Sequence, residues 1–194
     1  MRSLNPLVHN VVWPAVAGSI LWAFIQTALD PWESASPSNI DITYIPRLAA
    51  LLSVGIYLAE DWLRVEERNG LINKNYWMCD LLLAPTLAAF AISTEYYEKL
   101  DARLPQCALL FAFIIVIIGQ LCGAWDDDGK ESHLTARSCF AGINLVGLAV
   151  VAWSFSAPAV YSFWLTAAAP LAVVVLYFML REKITRRWKD IAKS

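Results

Sequence analysis

Charge falls along this chain in short clusters separated by long uncharged runs. No Asp, Glu, Lys or Arg occurs from Ser3 to Leu29, from Leu104 to Trp125, or from Ser138 to Leu180. A helix that crosses the hydrocarbon layer of a bilayer needs about 20 mostly apolar residues. The first two runs therefore predict one span each. The third is long enough for two, divided at Ser156-Ala157-Pro158, where a turn signal separates two apolar halves. The first run is longer than the apolar region of about 7–15 residues that marks a signal peptide, so it is expected to stay as a helix.

Two weaker segments complete the pattern. Ile45 to Val65 predicts a helix in which only Leu48 to Ala59 is uncharged. That stretch is too short to cross alone. It reaches spanning length if Arg47 snorkels at one end and Glu60 and Asp61 lie near the other. Tyr76 to Thr94 follows, with Asp80 about one turn inside its start. The polar loop from Glu66 to Lys74 joins the two as a hairpin, either spanning or re-entrant. The expected fold is an all-α membrane protein: a six-transmembrane-helix bundle over residues 1–180, then a basic tail over 181–194.

Composition agrees with this pattern. Hydrophobic residues make up 58% of the chain and charged residues 16%, against roughly 25% charged in an ordinary soluble domain. Too few charges remain to cover a soluble surface. Their placement gives a direction. Arg2, Arg64, Arg68, Lys74, Lys130, Arg137 and the basic tail fall on one side, and only Arg47, Lys99 and Arg103 on the other. Basic loops stay in the cytoplasm, so both termini are expected there and the protein in the inner (plasma) membrane. Trp62, Trp77 and Trp125 then fall at the inner interface and Trp32 and Trp153 at the outer one.

The small residues predict close helix contacts. Gly119 and Gly123 form a GxxxG pattern on the fourth span, and Gly142 and Gly147 are expected to do related work on the fifth. Pro14, Pro85 and Pro170 fall inside spans and are expected to kink them. Gln26, Gln120 and Asn144 are the deep polar residues, expected to join helices by hydrogen bonds. Cys79, Cys107, Cys122 and Cys139 show no CxxC spacing and read as free thiols packed like small hydrophobes.

Candidate chemistry concentrates at the cytoplasmic end. Glu60, Asp61 and Asp80 are expected at similar depth on the two arms of the hairpin. There they could share a proton or hold a cation, or they could simply sit at the interface or pair with Arg64. Asp126, Asp127 and Asp128 follow the fourth span, as an acidic cation-concentrating ring in an oligomer or as a solvated loop. In the tail, Ile184, Trp188 and Ile191 share one helical face. With Arg181, Lys183, Arg186, Arg187 and Lys189 they describe an amphipathic helix for an anionic membrane surface or a small acidic cytosolic ligand.

Several functions are disfavoured. The net charge of −2 predicts no bulk attraction to nucleic acid. The chain carries no HExxH, GxSxG, Walker or Rossmann motif and no His/Cys group with zinc spacing. No enzyme, cofactor or metal is expected. The reading that follows is an oligomeric channel or pore in an inner membrane, of which a gated effector in cell defence is one form, with the lipid bilayer and further copies of the chain as partners. Its rivals are a small-solute or proton-coupled transporter and a lipid-modifying membrane enzyme using the inner carboxylates.

Overall fold

In the computed structural model, backbone is described for residues 8–33, 42–67, 76–101, 103–126 and 131–191. Side chains are described for 10–29, 42–60, 79–101, 103–122 and 138–180. All regular structure among these residues is helical: α1 (Trp13–Glu33), α2 (Tyr44–Glu67), α3 (Tyr76–Glu95), α4 (Leu104–Asp126), α5 (Glu131–Ser154) and α6 (Ala159–Ile191). A π-helical turn, Val8–Val12, leads into α1. Proline explains that turn. Pro14 cannot donate to the carbonyl four residues back and its ring crowds that turn. The wider π turn stands just before it, so Pro14 lies at the start of α1 rather than inside it. Pro85 and Pro170 do lie within α3 and α6, which continue past them.

The helices pack as a ring. Going round it, α1 contacts α2, α2 contacts α6, α6 contacts α5, α5 contacts α4, α4 contacts α3, and α3 returns to α1. α2 and α3 are consecutive in sequence; among the described residues they touch only marginally, and α1 packs on both. The turn of the expected hairpin lies outside the described residues. The chain is also threaded in alternating directions. The starts of α2, α4 and α6 and the ends of α3 and α5 meet at one end of the ring, as the contacts of Arg47 with Thr94 and of Gln106 with Ser162 require.

The centre of the ring is filled. Tyr57 on α2 meets Phe113 on α4 edge to face, 5.9 Å between centroids, and donates a hydrogen bond to Asn144 Oδ1 on α5 at 3.0 Å. Neither α4 nor α5 neighbours α2 in the ring, so these contacts cross its axis. Asn144 also donates to Phe140 O at 2.9 Å. It joins helices as its sequence position predicts. Phe90, Phe113, Phe163, Leu51 and Leu87 are fully buried inside the bundle. Gly147 makes the crossing possible: a Cβ there would come within 2.7 Å of Phe113 and 2.8 Å of Val173. Gly119 faces α3, where a Cβ would lie 3.1 Å from Cys79 Sγ. Gly142 departs from expectation. It is exposed, and a Cβ would meet nothing within 4 Å among the described residues. Its position in the periodicity of α5 turns it away from the ring.

Large apolar side chains cover the outside of the ring: Leu21 and Trp22 on α1, Leu52 on α2, Leu82 on α3, Phe111 on α4, Trp153 on α5, Phe178 on α6. Apolar cover of this extent marks a surface that meets lipid or another protein. Three stretches are long and apolar enough to cross a membrane: Asn10–Leu29, Leu104–Cys122 and Ala159–Leu180. Ser138–Ser154 is apolar but shorter. Among the described residues, α2 and α3 do not reach that threshold; Arg47 and Glu60 bracket the apolar stretch of α2. The all-helical fold and its apolar helices are compatible with a helical membrane protein.

Candidate functional site

Polar side chains enter the bundle at both ends, and the filled centre around Tyr57, Phe113 and Asn144 separates them. At one end lie Glu60 on α2 and Asp80 on α3, each only 7% exposed. Their levels follow from the contacts at the centre. Tyr57 and Phe113 share one level. Glu60 is three residues beyond Tyr57, about 4.5 Å at 1.5 Å per residue. Gly119 is six residues beyond Phe113 on α4 and packs on Cys79. Asp80, one residue nearer the centre than Cys79, therefore lies about 7.5 Å below the same level. The two carboxylates are within about 3 Å of one another in depth along the helices.

Glu60 and Asp80 stand on different helices at this matched depth. α1 packs on both α2 and α3, and its buried residues at this end are Trp13 and Val16. The Gly55–Ile20 contact sets α1 against α2. It brings the level of Glu60 to about that of Ala15, between these two side chains. The carboxylates thus stand on the two helices flanking α1. Gln120, buried on α4, stands next to Gly119 at the Cys79 level. A carboxylate withdrawn from water is costly unless it takes up a proton, a cation or hydrogen-bond donors. Side chains arranged this way can exchange such a partner.

The other proposed site residues lie outside the described side chains. Asp61 belongs to α2 and Asp126 ends α4, but only their backbone is described. Asp127 and Asp128 lie outside the described residues, and Gly123 lies on the last turn of α4, where only the backbone is described. Arg181, Lys183, Arg186, Arg187, Trp188 and Lys189 lie on a described helical backbone, continuous with α6 as far as Ile191. Their side chains are not described.

The opposite end holds residues that sequence reasoning left unassigned. Arg47 was expected to snorkel outward. It is instead 3% exposed, donates from Nη1 to Thr94 O at 3.4 Å, and lies 5.6 Å from the centroid of the Tyr97 ring. Two physical causes draw it inward. The last carbonyls of α3 are the negative pole of that helix, and an aromatic face attracts a guanidinium. Tyr97 in turn packs edge to face on Phe163 of α6, at 5.0 Å. Beside Phe163, Gln106 Nε2 donates to Ser162 Oγ at 2.9 Å, joining α4 to α6. The available signal was the polar spacing: Gln106 and Ser162 each fall within the first turn of a long apolar helix.

No protein-family model, curated protein or solved structure matches this chain. Its reading rests on its own residues.

Proposed function

We propose that the protein is an integral membrane transporter that moves a proton or a small cation, with Glu60 and Asp80 as the groups that receive it. One observation carries this reading: two carboxylates are buried inside the bundle at nearly the same depth, on helices that flank α1. Acidic groups drawn into a membrane bundle are expensive to keep, and such positions mark ion and proton pathways. Beyond them the axis is closed by Tyr57, Phe113 and Asn144. A protomer with a filled axis supports passage by movement of helices against one another, as carriers do, rather than by a standing pore.

The same filled axis supports a second reading. If the protein is a channel of the inner membrane, its water path runs between protomers of an oligomer, with Asp126, Asp127 and Asp128 near the cytoplasmic mouth. Particle size in nanodiscs separates the two readings: a monomer or dimer favours the carrier, and a larger ring with a central axis favours the channel.

The direct test is flux. Purified protein in liposomes carrying a pH-sensitive dye is expected to dissipate an imposed proton or cation gradient. Asp80→Asn and Glu60→Gln are each expected to slow this by about a hundredfold or more, the scale of losing a positioned proton carrier. Wild-type vesicles no leakier than empty ones, for protons and for alkali cations, would overturn the transporter reading.

A further inference from the structure

Two of the four cysteines meet at the seam between α3 and α4. Cys79 packs against Gly119, where its Sγ would lie 3.1 Å from an added Cβ. Cys122 stands three residues beyond Gly119 on α4. We propose that Cys79 and Cys122 together bind one soft, thiophilic monovalent cation, Cu(I), as a two-coordinate bis-thiolate. The transport reading does not require this site, and it stands on different side chains.

The placement of the two thiols follows from helix geometry. Positions three apart on a helix share a face, with Cβ atoms about 5–6 Å apart. Helical side chains lean toward the N-terminus, so the Cys122 thiol tilts back toward the level of Gly119, where Cys79 Sγ lies. Glycine at 119 permits this: without a Cβ there, the α3 thiol rests on the α4 backbone. The two thiols are close enough for their charges to act on each other, and the Asp80 carboxylate acts on Cys79 as well. At about 2.3 Å for each metal–sulfur bond, two sulfurs bridged linearly by one ion stand about 4.6 Å apart. Rotation about χ1 of Cys122 adjusts the spacing to that value.

Access fits a ligand site. Cys79 is half-buried, Cys122 is exposed, and both are free of disulfides. An ion therefore reaches the pair from the rim of the seam, without opening the core. On the orientation that the basic loops predict, this end faces the cytoplasm, where thiols are kept reduced and available as ligands.

The donor set selects the ion. Thiolates are soft ligands, which favour Cu(I) and zinc over magnesium or calcium. A structural zinc ion takes four protein ligands. Among the described residues no three His, Cys, Asp or Glu side chains come together to hold a metal. Two thiolates without a third donor match the linear coordination that Cu(I) accepts. Binding exchanges two thiol protons for one Cu(I) and leaves the site with one net negative charge. The neighbouring Asp80 carboxylate favours a cation over an anion at the seam.

The test is anaerobic titration of the purified full-length protein in detergent with Cu(I) held by the chromophoric chelator bicinchoninate. About one equivalent per chain is expected to pass from chelator to protein, as two thiolates per ion require. Cys79→Ser and Cys122→Ser should each weaken binding by at least about a hundredfold, because even the groups behind metal ligands account for about 10–100-fold. Cys107→Ser and Cys139→Ser should leave it unchanged. Cys107 lies twelve residues from Gly119 along α4, about 18 Å away. If a serine variant is not folded and monodisperse, the wild type decides alone. There, Cu(I) should shield Cys122 from N-ethylmaleimide in peptide maps and leave the labelling of Cys107 and Cys139 as it is without copper. Absence of stoichiometric transfer, binding that survives Cys79→Ser or Cys122→Ser in folded protein, or displacement of Cu(I) by equimolar Zn(II) would each overturn the proposal. A Cys79–Cys122 disulfide in protein prepared without oxidant would do the same.

Discussion

Gly147 and Gly142 lie on the same helix, yet the ring gives them opposite roles. At Gly147 a methyl group would intrude on Phe113 and Val173. Gly147→Ala should therefore destabilise the bundle by about 1–3 kcal/mol, the usual cost of overpacking. Gly142 has open space around it, so Gly142→Ala should be neutral or stabilising by up to about 1 kcal/mol through helix propensity. Thermal unfolding in detergent checks the pair, and equal melting temperatures for the two variants would contradict the packing. Tyr57→Phe removes the donor to Asn144 Oδ1. Interhelical hydrogen bonds in membrane bundles average about 0.6 kcal/mol and reach about 1.7 kcal/mol. A modest drop in melting temperature in that range is expected, and none at all would mean that the bond contributes nothing.

Among the elements, the seam between α3 and α4 is the most directly testable. A Cβ on Gly119 would lie 3.3 Å from Cys79 Cβ, a few tenths of an ångström below the separation of about 3.5–4.5 Å that a disulfide spans. Gly119→Cys, in a background with Cys107, Cys122 and Cys139 replaced by serine, should form an intramolecular disulfide under mild oxidation, read by peptide mapping. Failure to cross-link would dissociate α3 from α4 at this level. The GxxxG pattern announced that Gly119 approaches another helix, but not which one. Arg47 teaches the same lesson. The sequence shows an arginine near a helix start, where snorkelling suffices. The carbonyl of Thr94 and the ring of Tyr97 come from a helix that the chain reaches only about 50 residues later, so no local pattern reveals them.

For the molecule as a whole, charge placement predicts both termini on the cytoplasmic side. Reporter fusions after Ser194 are expected to be active only as cytoplasmic enzymes, and reporters inserted between residues 34 and 41 only as external ones. A C-terminal fusion exposed outside the cell would reverse the orientation and reassign the ends that hold Glu60 and Arg103. The ring also ties function to global motion. Its two polar ends are separated by the residues around Tyr57, Phe113 and Phe90, so any solute crossing a single protomer needs those helices to part. Stabilising the closed centre should slow such transport.

Local chemistry by itself determined that this chain is helical and apolar, where α2, α3 and α4 begin and end to within about two residues, and that Glu60 and Asp80 lie at similar depth. Those properties follow from the length of uncharged runs and from a fixed rise per residue, both of which act within one segment. Only the tertiary structure decided the ring order, which sets α1 against both arms of the expected hairpin, turns Gly142 outward and Gly147 inward, buries Arg47, and joins Gln106 to Ser162. Such choices depend on which distant surfaces interlock best, because side-chain packing discriminates among partners that hydrophobicity alone leaves equivalent.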